Sequence, residues 1–422
     1  MIRRVTARAE SLPETETPAS ARLFAVVGEP EFLAGAVLTL LAFGIYWFTG
    51  PFDVSSDSFV PLADAFLHGR LSIEVDRPWL ELVPVNDGSG AQYSPFPPVP
   101  AVVILPLVAL TQAMGVGELG SNLMCAVVGA ANVALVYWLL GRIGVAFGPR
   151  QVLTVGFAFT TLWWVAGMAG GDHWAQVIAV FFLLVTLHLA IGRSWPFLAG
   201  LTLALAAGSR LPVAFSLPLI AGFYADRFRP TRDHAWLLAG IAGPAVLIAA
   251  YNLARFGSPF DFGYAHIPSG ETGIVTDEPW FRYGLSSPLY IPRHLYAIFL
   301  QSFDWSDNAP YLIPNFTGLS ITLSAPFLFW SAAAWRVRRL QPLVPLAMLS
   351  ALLVLLPDVT HGSWGFAQFG YRFILDAIPI LMLLLGWAYR DRLSWPLVVA
   401  VGLGVAVHAY GIYAINVLEF VH

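Results

Sequence analysis

The stretch VPAVVILPLVAL, Val99–Leu110, determines the membrane topology of the rest of this chain. It is apolar, but a helix of its length spans only about 18 Å, against a hydrocarbon layer of about 30 Å. Pro100 and Pro106 also interrupt it. Whether this stretch crosses the membrane sets the direction in which every later apolar segment crosses it.

The composition of the 422 residues requires a membrane. Hydrophobic residues make up 57%, charged residues only 11%, and the mean hydropathy is +0.69. A soluble domain covers its surface with roughly 25% charged residues. We therefore expect an all-α polytopic membrane protein. The net charge of −4 indicates no partner class, and we expect no nucleic-acid partner.

Two residue counts exclude kinds of chemistry. All 22 basic residues are arginines, so no reaction here uses a lysine amine. Cys125 is the single cysteine, which excludes an intramolecular disulfide and a cysteine-based zinc site.

Outside Val99–Leu110, eleven apolar segments follow a polar N-terminal tail, residues 1–30. Residues 31–422 are expected to form one transmembrane domain. Two of the segments, 195–208 and 211–224, are shorter than the ~20 residues that a bilayer needs and are interpreted as paired half-helices. The segments lie near Phe32–Thr49, Leu123–Leu140, Val152–Gly170, Trp174–Ile191, Trp195–Gly208, Leu211–Tyr224, Ala235–Ala254, Ile313–Trp335, Pro342–Leu356, Phe373–Tyr389 and Trp395–Asn416.

The arginines decide whether Val99–Leu110 crosses. If it does not, fifteen of the 22 arginines, including the four of the tail, face the cytoplasm; if it does, only nine do. Cytoplasmic loops carry an excess of arginine. We therefore predict a juxtamembrane helix at Val99–Leu110, about eleven spans in the cytoplasmic membrane and a cytoplasmic N-terminus.

Two large segments then lie on the outer face, residues 51–118 and 256–312. The first carries seven carboxylates, and a charge at mid-bilayer costs about 2.5–3.5 kcal/mol. These acids belong in water or at the interface. They are Asp53, Asp57, Asp64, Glu74, Asp76, Glu81 and Asp87.

Two acids of the outer face are candidate catalytic residues. Asp57 follows the first span and begins an interfacial helix, so it either caps that helix or acts as a general base at the membrane edge. Asp172 lies in a short outer loop before His173 and can reach the same face. Together these three side chains could bind a divalent metal, although residues so scattered in sequence indicate a metal only weakly. We therefore assign no metal ligands and no certain cofactor.

Arginines of the same face are candidate phosphate ligands, because the guanidinium group gives paired, charge-assisted hydrogen bonds to phosphate. Arg210 lies in GSRLP between the two short segments, and Arg372 lies in GYRFILD. Alternatively, each side chain could simply extend along the apolar region to place its guanidinium group at the membrane interface. Asp376 follows Arg372 at i, i+4 and is expected to neutralise it. Aromatic residues of the second outer segment, including Tyr264, anchor the interface or stack on a sugar ring.

In order and spacing, the chain resembles the bacterial GT-C membrane glycosyltransferases, which include protein O-mannosyltransferases and aminoarabinose transferases. The matching elements are the acid Asp57 after the first span and the turn Leu67–Arg70. They continue with YSPFPP (Tyr93–Pro98), Asp172, SRLP (Ser209–Pro212), FGSPFDFGY (Phe256–Tyr264) and GYRFILDAIP (Gly370–Pro379).

The resemblance implies a GT-C-like bundle that transfers a hexose or pentose from a polyprenyl-phosphate donor. The acceptor would be a lipid, glycan or protein on the outer face, with membrane lipids around the chain. Asp57 matches the catalytic acid of the family and Asp172 its second acidic position. Many members have a lysine beside the double proline, and this chain has none. Phosphate contacts would then come from Arg210, Arg372 or Arg70, and sugar or acceptor contacts from Tyr93, His173 and Tyr264.

Three other functions remain open. A transporter or flippase of lipid-linked sugars would place charges near mid-membrane and often shows internal repeats, whereas the charges here gather at one face. A ligase or polymerase that moves whole glycans from a pyrophosphate carrier needs the same cations. A non-catalytic membrane subunit is the third alternative.

Overall fold

The computed structural model describes residues 29–50, 57–74, 80–85, 90–116, 121–167, 171–226, 229–269, 273–315, 317–337, 340, 342–365 and 368–419. Of Gly171, Asp172, Ser269 and Gly273 it describes only the backbone. The predicted tail lies outside the described residues up to position 28.

Helices dominate the described chain. The α-helices are α1 Pro30–Thr49, α2 Phe59–Leu67, α3 Val99–Ala113, α4 Asn122–Arg142, α5 Phe147–Phe157, α6 Trp163–Gly167, α7 Gly171–Ile191, α8 Pro196–Ala207, α9 Leu217–Tyr224, α10 Arg232–Phe256, α11 Ile291–Phe299, α12 Ile321–Ser324, α13 Leu343–Thr360, α14 Ile378–Ala388 and α15 Trp395–Asn416.

Shorter elements connect them. A π-helical turn, Ala158–Leu162, joins α5 to α6. The 3₁₀ helices are Leu211–Ser216, Tyr264–His266, Val275–Asp277, Pro279–Phe281, Pro288–Tyr290, Pro326–Arg336 and Arg372–Asp376. Three antiparallel pairs of two-residue strands complete the list: β1 Val83–Pro84 with β2 Gln92–Tyr93, β3 Pro268–Ser269 with β4 Gly273–Ile274, and β5 Asp304–Trp305 with β6 Leu312–Ile313.

The prediction of an all-α membrane protein is confirmed. Six helices, α1, α4, α7, α10, α13 and α15, are long and apolar enough to cross a membrane. Shorter apolar helices include α3, α8, the stretch Leu211–Tyr224, and α14. Most predicted segments coincide with these helices to within a few residues. The segment Ile313–Trp335 does not form one helix: it begins in β6, and helical structure starts only at Ile321.

The long helices differ in how deeply they are buried. In α7, 67% of the most apolar window is buried, whereas in α1 and α10 the fraction is 17%. Helix α10 exposes large apolar side chains, among them Leu238, Val246 and Leu247. An apolar surface of this kind is stable against lipid and costly against water. Helix α7 is therefore central, and α1 and α10 lie at the periphery.

Helices α8 and α10 pack closely because glycines face each other. A Cβ atom on Gly240 would lie 2.0 Å from the carbonyl oxygen of Phe197, and one on Gly200 would lie 2.0 Å from that of Leu237. Small residues that let two backbones approach are characteristic of helix packing in membranes.

Hydrogen bonds define two ends of the bundle. At one, which we call the Thr49 end, the side chains of Trp163 and Asn416 donate to Thr49. At the other, the Glu31 end, Arg150 forms an ion pair with Glu31. Further contacts join more segments at the Glu31 end: Tyr137 with Glu31, Arg390 with Gly144, Arg193 with Tyr224, and Thr231 with Tyr224.

The two short helices α8 and α9 form a hairpin. The Tyr224 hydroxyl, at the end of α9, donates to the Ser194 carbonyl, just before α8, at 2.9 Å. The turn of the hairpin lies at the opposite end and contains Arg210.

Candidate functional site

The turn between α8 and the 3₁₀ helix Leu211–Ser216 is held at the start of α3. Val99 donates its backbone N–H to the Gly208 carbonyl at 3.4 Å, and a Cβ on Gly208 would meet the Val99 side chain at 2.6 Å. Trp174, in the first turn of α7, donates its indole N–H to the Pro100 carbonyl at 3.0 Å. These contacts fix the position from which Arg210 extends in β conformation.

Arg210 binds two buried carboxylates. Its Nε and Nη2 lie 3.1 and 3.0 Å from Oδ2 of Asp376, and Nη2 lies 3.2 Å from Oδ1 of Asp358. Asp358 lies in the last turn of α13, and Asp376 ends the 3₁₀ helix Arg372–Asp376. Three segments remote in sequence therefore meet in one charged group.

Arg372 belongs to the same group. The guanidinium carbons of Arg210 and Arg372 lie 5.1 and 5.4 Å from the centroid of the Phe373 ring. Gln176, on α7, donates to the Arg372 carbonyl at 3.2 Å. We call Arg210, Arg372, Asp358 and Asp376 the charge cluster. Two of the cations predicted from the sequence are thus brought together.

The pairing of Asp376 differs from the prediction. The i, i+4 spacing from Arg372 would place the two side chains together in an α-helix, but this segment is a 3₁₀ helix with three residues per turn. The Asp376 carboxylate instead binds Arg210.

The electrostatics of the cluster keep Arg210 charged. Burial alone would lower the pKa of Arg210, but the carboxylates of Asp376 and Asp358 outweigh it, and the net effect raises that pKa. The cluster therefore combines two arginine side chains with two carboxylic acid groups, both of which contact Arg210.

A wall of neutral polar groups borders the cluster. Burial lowers the pKa of His294 to about 4, lowers that of His361, and raises that of Tyr371. His294 Nε2 lies 2.9 Å from the His361 carbonyl, which can only accept, so Nε2 carries the proton. His294 Nδ1 then accepts a hydrogen bond from the Tyr371 hydroxyl group at 2.8 Å.

Asp57 is buried and caps α2. Its Oδ1 accepts backbone N–H groups from Phe59 at 2.8 Å and Val60 at 3.1 Å, and its Oδ2 accepts the N–H of Ser121 at 2.8 Å. The capping role proposed from the sequence is confirmed, and the carboxylate also ties α2 to the start of α4. A carboxylate offers about four acceptor positions, of which these bonds use three. Beside it, the buried Ser58 hydroxyl has no hydrogen-bond partner in the described part of the chain.

A line of rings connects Asp57 to the charge cluster. Phe59, two residues after Asp57, lies 6.0 Å from Phe96, and Phe96 lies 6.4 Å from Tyr264. The ring of Tyr264 lies 6.3 Å from that of His361, which belongs to the wall of the cluster. Asp57 and the cluster therefore lie at the same end of the bundle.

Arg255 is a buried cation that the sequence analysis did not select. It donates to the Ser94 carbonyl and, at 2.9 Å, to the Asn252 side chain. Its guanidinium lies 3.7 Å from the centroid of Tyr251. Among the described residues it forms no ion pair with a carboxylate. Its only signal in the sequence is a charge at the end of an apolar segment, YNLARFG.

The other predicted residues lie in different environments. Tyr93 packs edge-on against Phe256 at 5.7 Å, close to Arg255. His173 is buried in the first turn of α7, while the side chain of its neighbour Asp172 lies outside the described residues. Arg70 is half-buried and pairs with Asp64 and Glu74, so its charge is already matched outside the cluster.

Within the described residues, no three His, Cys, Asp or Glu side chains are grouped so as to hold a metal ion. No family model matches the chain, and neither the curated proteins nor the solved structures contain a match.

Proposed function

We propose that this protein is a GT-C-like glycosyltransferase of the cytoplasmic membrane. It transfers a hexose or pentose from a polyprenyl-phosphate donor to an acceptor on the outer face. The observation that carries the proposal is the charge cluster, with two arginines over one ring at the end of an apolar bundle where a buried carboxylate, Asp57, also lies.

The proposal includes eleven crossings with the Thr49 end outside. The contacts of α3 support a helix that does not cross: its first residue bonds to Gly208, and Gln112, near its end, donates to Asp64 of the outer segment at 2.6 Å. At the opposite end, Arg150, Arg193 and Arg390 make the contacts that join the segments there. An excess of arginine at that end is typical of the cytoplasmic side.

The donor phosphate would bind at the charge cluster. Arg372 and Arg210 can each direct guanidinium N–H groups to phosphate oxygens, and a phosphate would share Arg210 with Asp358 and Asp376. Arg255 is a further candidate, because no carboxylate of the described residues forms an ion pair with its buried guanidinium group. The cations are fixed before the donor binds, which favours stabilisation of the charge that develops on the leaving phosphate.

The transfer step would be a single inverting displacement. The acceptor hydroxyl oxygen attacks the anomeric carbon while the bond from that carbon to the phosphate oxygen breaks. The electron pair leaves with the polyprenyl phosphate, and the hydroxyl proton passes to Asp57. The three backbone N–H groups would hold the Asp57 carboxylate in place and leave one acceptor position for that proton. Asp172 would support this step from the start of α7.

Reconstituted liposomes test the class of reaction. The purified protein is mixed with a panel of radiolabelled polyprenyl-phosphate sugars and a membrane extract as the source of acceptor. The proposal predicts time-dependent release of polyprenyl phosphate together with label in a new product. Movement of label across the bilayer without release would favour a flippase. Transfer only from pyrophosphate donors would favour a ligase or polymerase.

A further inference from the structure

A cleft of about 310 Å³ lies in the second outer segment, apart from the charge cluster. Its walls come from α11, the segment that follows it into β5, the residues after β6, and Trp364. Its polar lining comes from Arg293, Gln301, Asp304, Asn315 and Thr317. Small-molecule sites typically measure about 300–1,000 Å³, so the volume is that of a small ligand.

The polar groups of the cleft are arranged by hydrogen bonds to one another. Asn315 donates to Asp304 Oδ2 at 3.2 Å, and Gln301 donates to the Thr317 hydroxyl at 2.6 Å. Asn315 Oδ1 also accepts the backbone N–H of Thr317 at 2.9 Å and the Thr317 hydroxyl at 2.5 Å. The capacity left for a ligand therefore lies on the Asp304 carboxylate, the Gln301 amide and the second N–H of Asn315. Such mixed, oriented donors and acceptors match a ligand that carries several hydroxyl groups.

An aromatic surface lies beside these polar groups. Trp364 lines the cleft, and the Arg293 guanidinium lies 4.3 Å from the centroid of its ring. Phe303 and Tyr296 add further aromatic surface. A sugar ring presents hydroxyl groups at its edge and an apolar face of C–H groups, so it can satisfy both parts of this lining together.

The charges of the lining favour a neutral ligand. Asp304 would repel an anionic one. Arg293 already donates to the carbonyls of Trp280 and Gly362, while its buried Nε has no partner within the described chain. One positive and one negative group on the same wall match a polar molecule without net charge.

The back of the cleft continues into the wall of the charge cluster. Arg293 donates to Gly362, and the next residue, His294, bonds to both His361 and Tyr371. Tyr371 directly precedes Arg372. The cleft and the charge cluster are therefore adjacent along the chain of contacts through His294 and Tyr371.

We propose that this cleft binds a neutral carbohydrate and that it is the subsite for a glycan acceptor. The binding of carbohydrate follows from the cleft itself, whereas its identity as the acceptor rests on the proposed function. A lipid or protein acceptor would then present its carbohydrate portion here.

Saturation-transfer difference NMR tests the binding directly. The protein is placed in lipid nanodiscs, because sugar-headed detergents would compete, and is offered the methyl glycosides of mannose, glucose, galactose and arabinose. We expect saturation transfer from the protein to at least one of these glycosides, and at least a fivefold loss of this signal in Trp364→Ala. The matched control is Trp305→Ala, since Trp305 is exposed, stacks on Tyr311 of the β5–β6 hairpin and is not among the described residues that line the cleft.

A second variant guards against misfolding. Asp304→Asn keeps the size of the side chain, removes its charge, and should also weaken the signal. Absence of a saturation-transfer signal for all four glycosides would overturn the proposal. Equal signals from wild type, Trp364→Ala and Asp304→Asn would also overturn it. Binding without any sugar transfer from a polyprenyl-phosphate donor would instead contradict the proposed function and leave the carbohydrate site intact.

Discussion

Asp376 and Arg210 form a buried ion pair in which Oδ2 of the carboxylate lies 3.0 Å from Nη2 of the guanidinium. The pair joins the turn after α8 to the segment before α14, and Asp358 binds the same guanidinium from α13. Three helices of the bundle are thus connected through one side chain.

We expect Arg210→Ala to destabilise the protein by about 3–5 kcal/mol, because it leaves Asp358 and Asp376 buried without their partner. The thermal unfolding midpoint in detergent measures the effect. The double variant Arg210→Ala, Asp376→Asn should recover part of the loss, since it removes one of the two orphaned charges. A double variant that is no more stable than the single one would show that the ion pair is not what stabilises this region.

Arg372→Gln should weaken donor binding more than folding. If Arg372 contacts the donor phosphate, loss of a charge-assisted hydrogen bond raises the KM for the polyprenyl-phosphate sugar about tenfold to a hundredfold. Arg282→Gln is the matched control, because Arg282 is an exposed outer-segment arginine that lies over Tyr283. Equal KM values for the two variants would remove Arg372 from the donor site.

His294 makes stability depend on pH. Burial lowers its pKa from 6.5 to about 4, so the unfolded chain takes up a proton before the folded one does. The contribution of His294 to stability is complete above pH 6.5 and falls as the pH decreases through the range from 6.5 to 4, by an amount on the order of 3 kcal/mol. His361, Tyr371 and Arg293 face this group, and His361 acts in the same direction.

Unfolding midpoints measured between pH 4.5 and 7.5 check this expectation. His294→Gln should be less stable at pH 7.5 but should lose less stability on acidification than the wild type. Identical pH slopes for both proteins would assign the acid sensitivity to other groups.

The contact between α8 and α10 predicts a contrast between two glycines of one helix. Gly240→Ala places a methyl group against the Phe197 carbonyl, whereas the same change at Gly243 meets nothing within 4 Å. We expect Gly240→Ala to lower the unfolding midpoint by several degrees and Gly243→Ala to leave it unchanged or raise it slightly. Equal midpoints would mean that the two helices do not pack as closely as described.

Much of the fold could be predicted because apolar length is local information. The predicted segments Leu211–Tyr224 and Trp395–Asn416 have the same bounds as the helical stretches in the structure. The shortness of Val99–Leu110 is likewise evident from the sequence. The segment Ile313–Trp335 was misassigned because an apolar run of strand and loop has the same hydropathy as a helix.

The candidate site was predicted only in part. Arg210 and Arg372 stand out in the sequence as charges among apolar residues, and in the structure both guanidinium groups lie near the Phe373 ring. The pairing of Asp376 depended on helix type, which the spacing does not reveal. Asp358 and Arg255 each contact a residue more than a hundred positions away, which the sequence pattern does not show.

The most direct test of the account is turnover of Asp57→Asn with a labelled polyprenyl-phosphate sugar in liposomes. Asparagine can still accept the Phe59 and Val60 N–H groups at Oδ1, but its NH2 group cannot accept the Ser121 N–H, so the unfolding midpoint and donor binding are measured alongside turnover. Asp64→Asn, on the exposed side of the same helix, is the control. We predict that Asp57→Asn lowers the rate of sugar transfer by a factor of about 10²–10⁴, whereas Asp64→Asn retains a rate close to that of the wild type. Near-normal transfer by a folded Asp57→Asn protein would contradict the account.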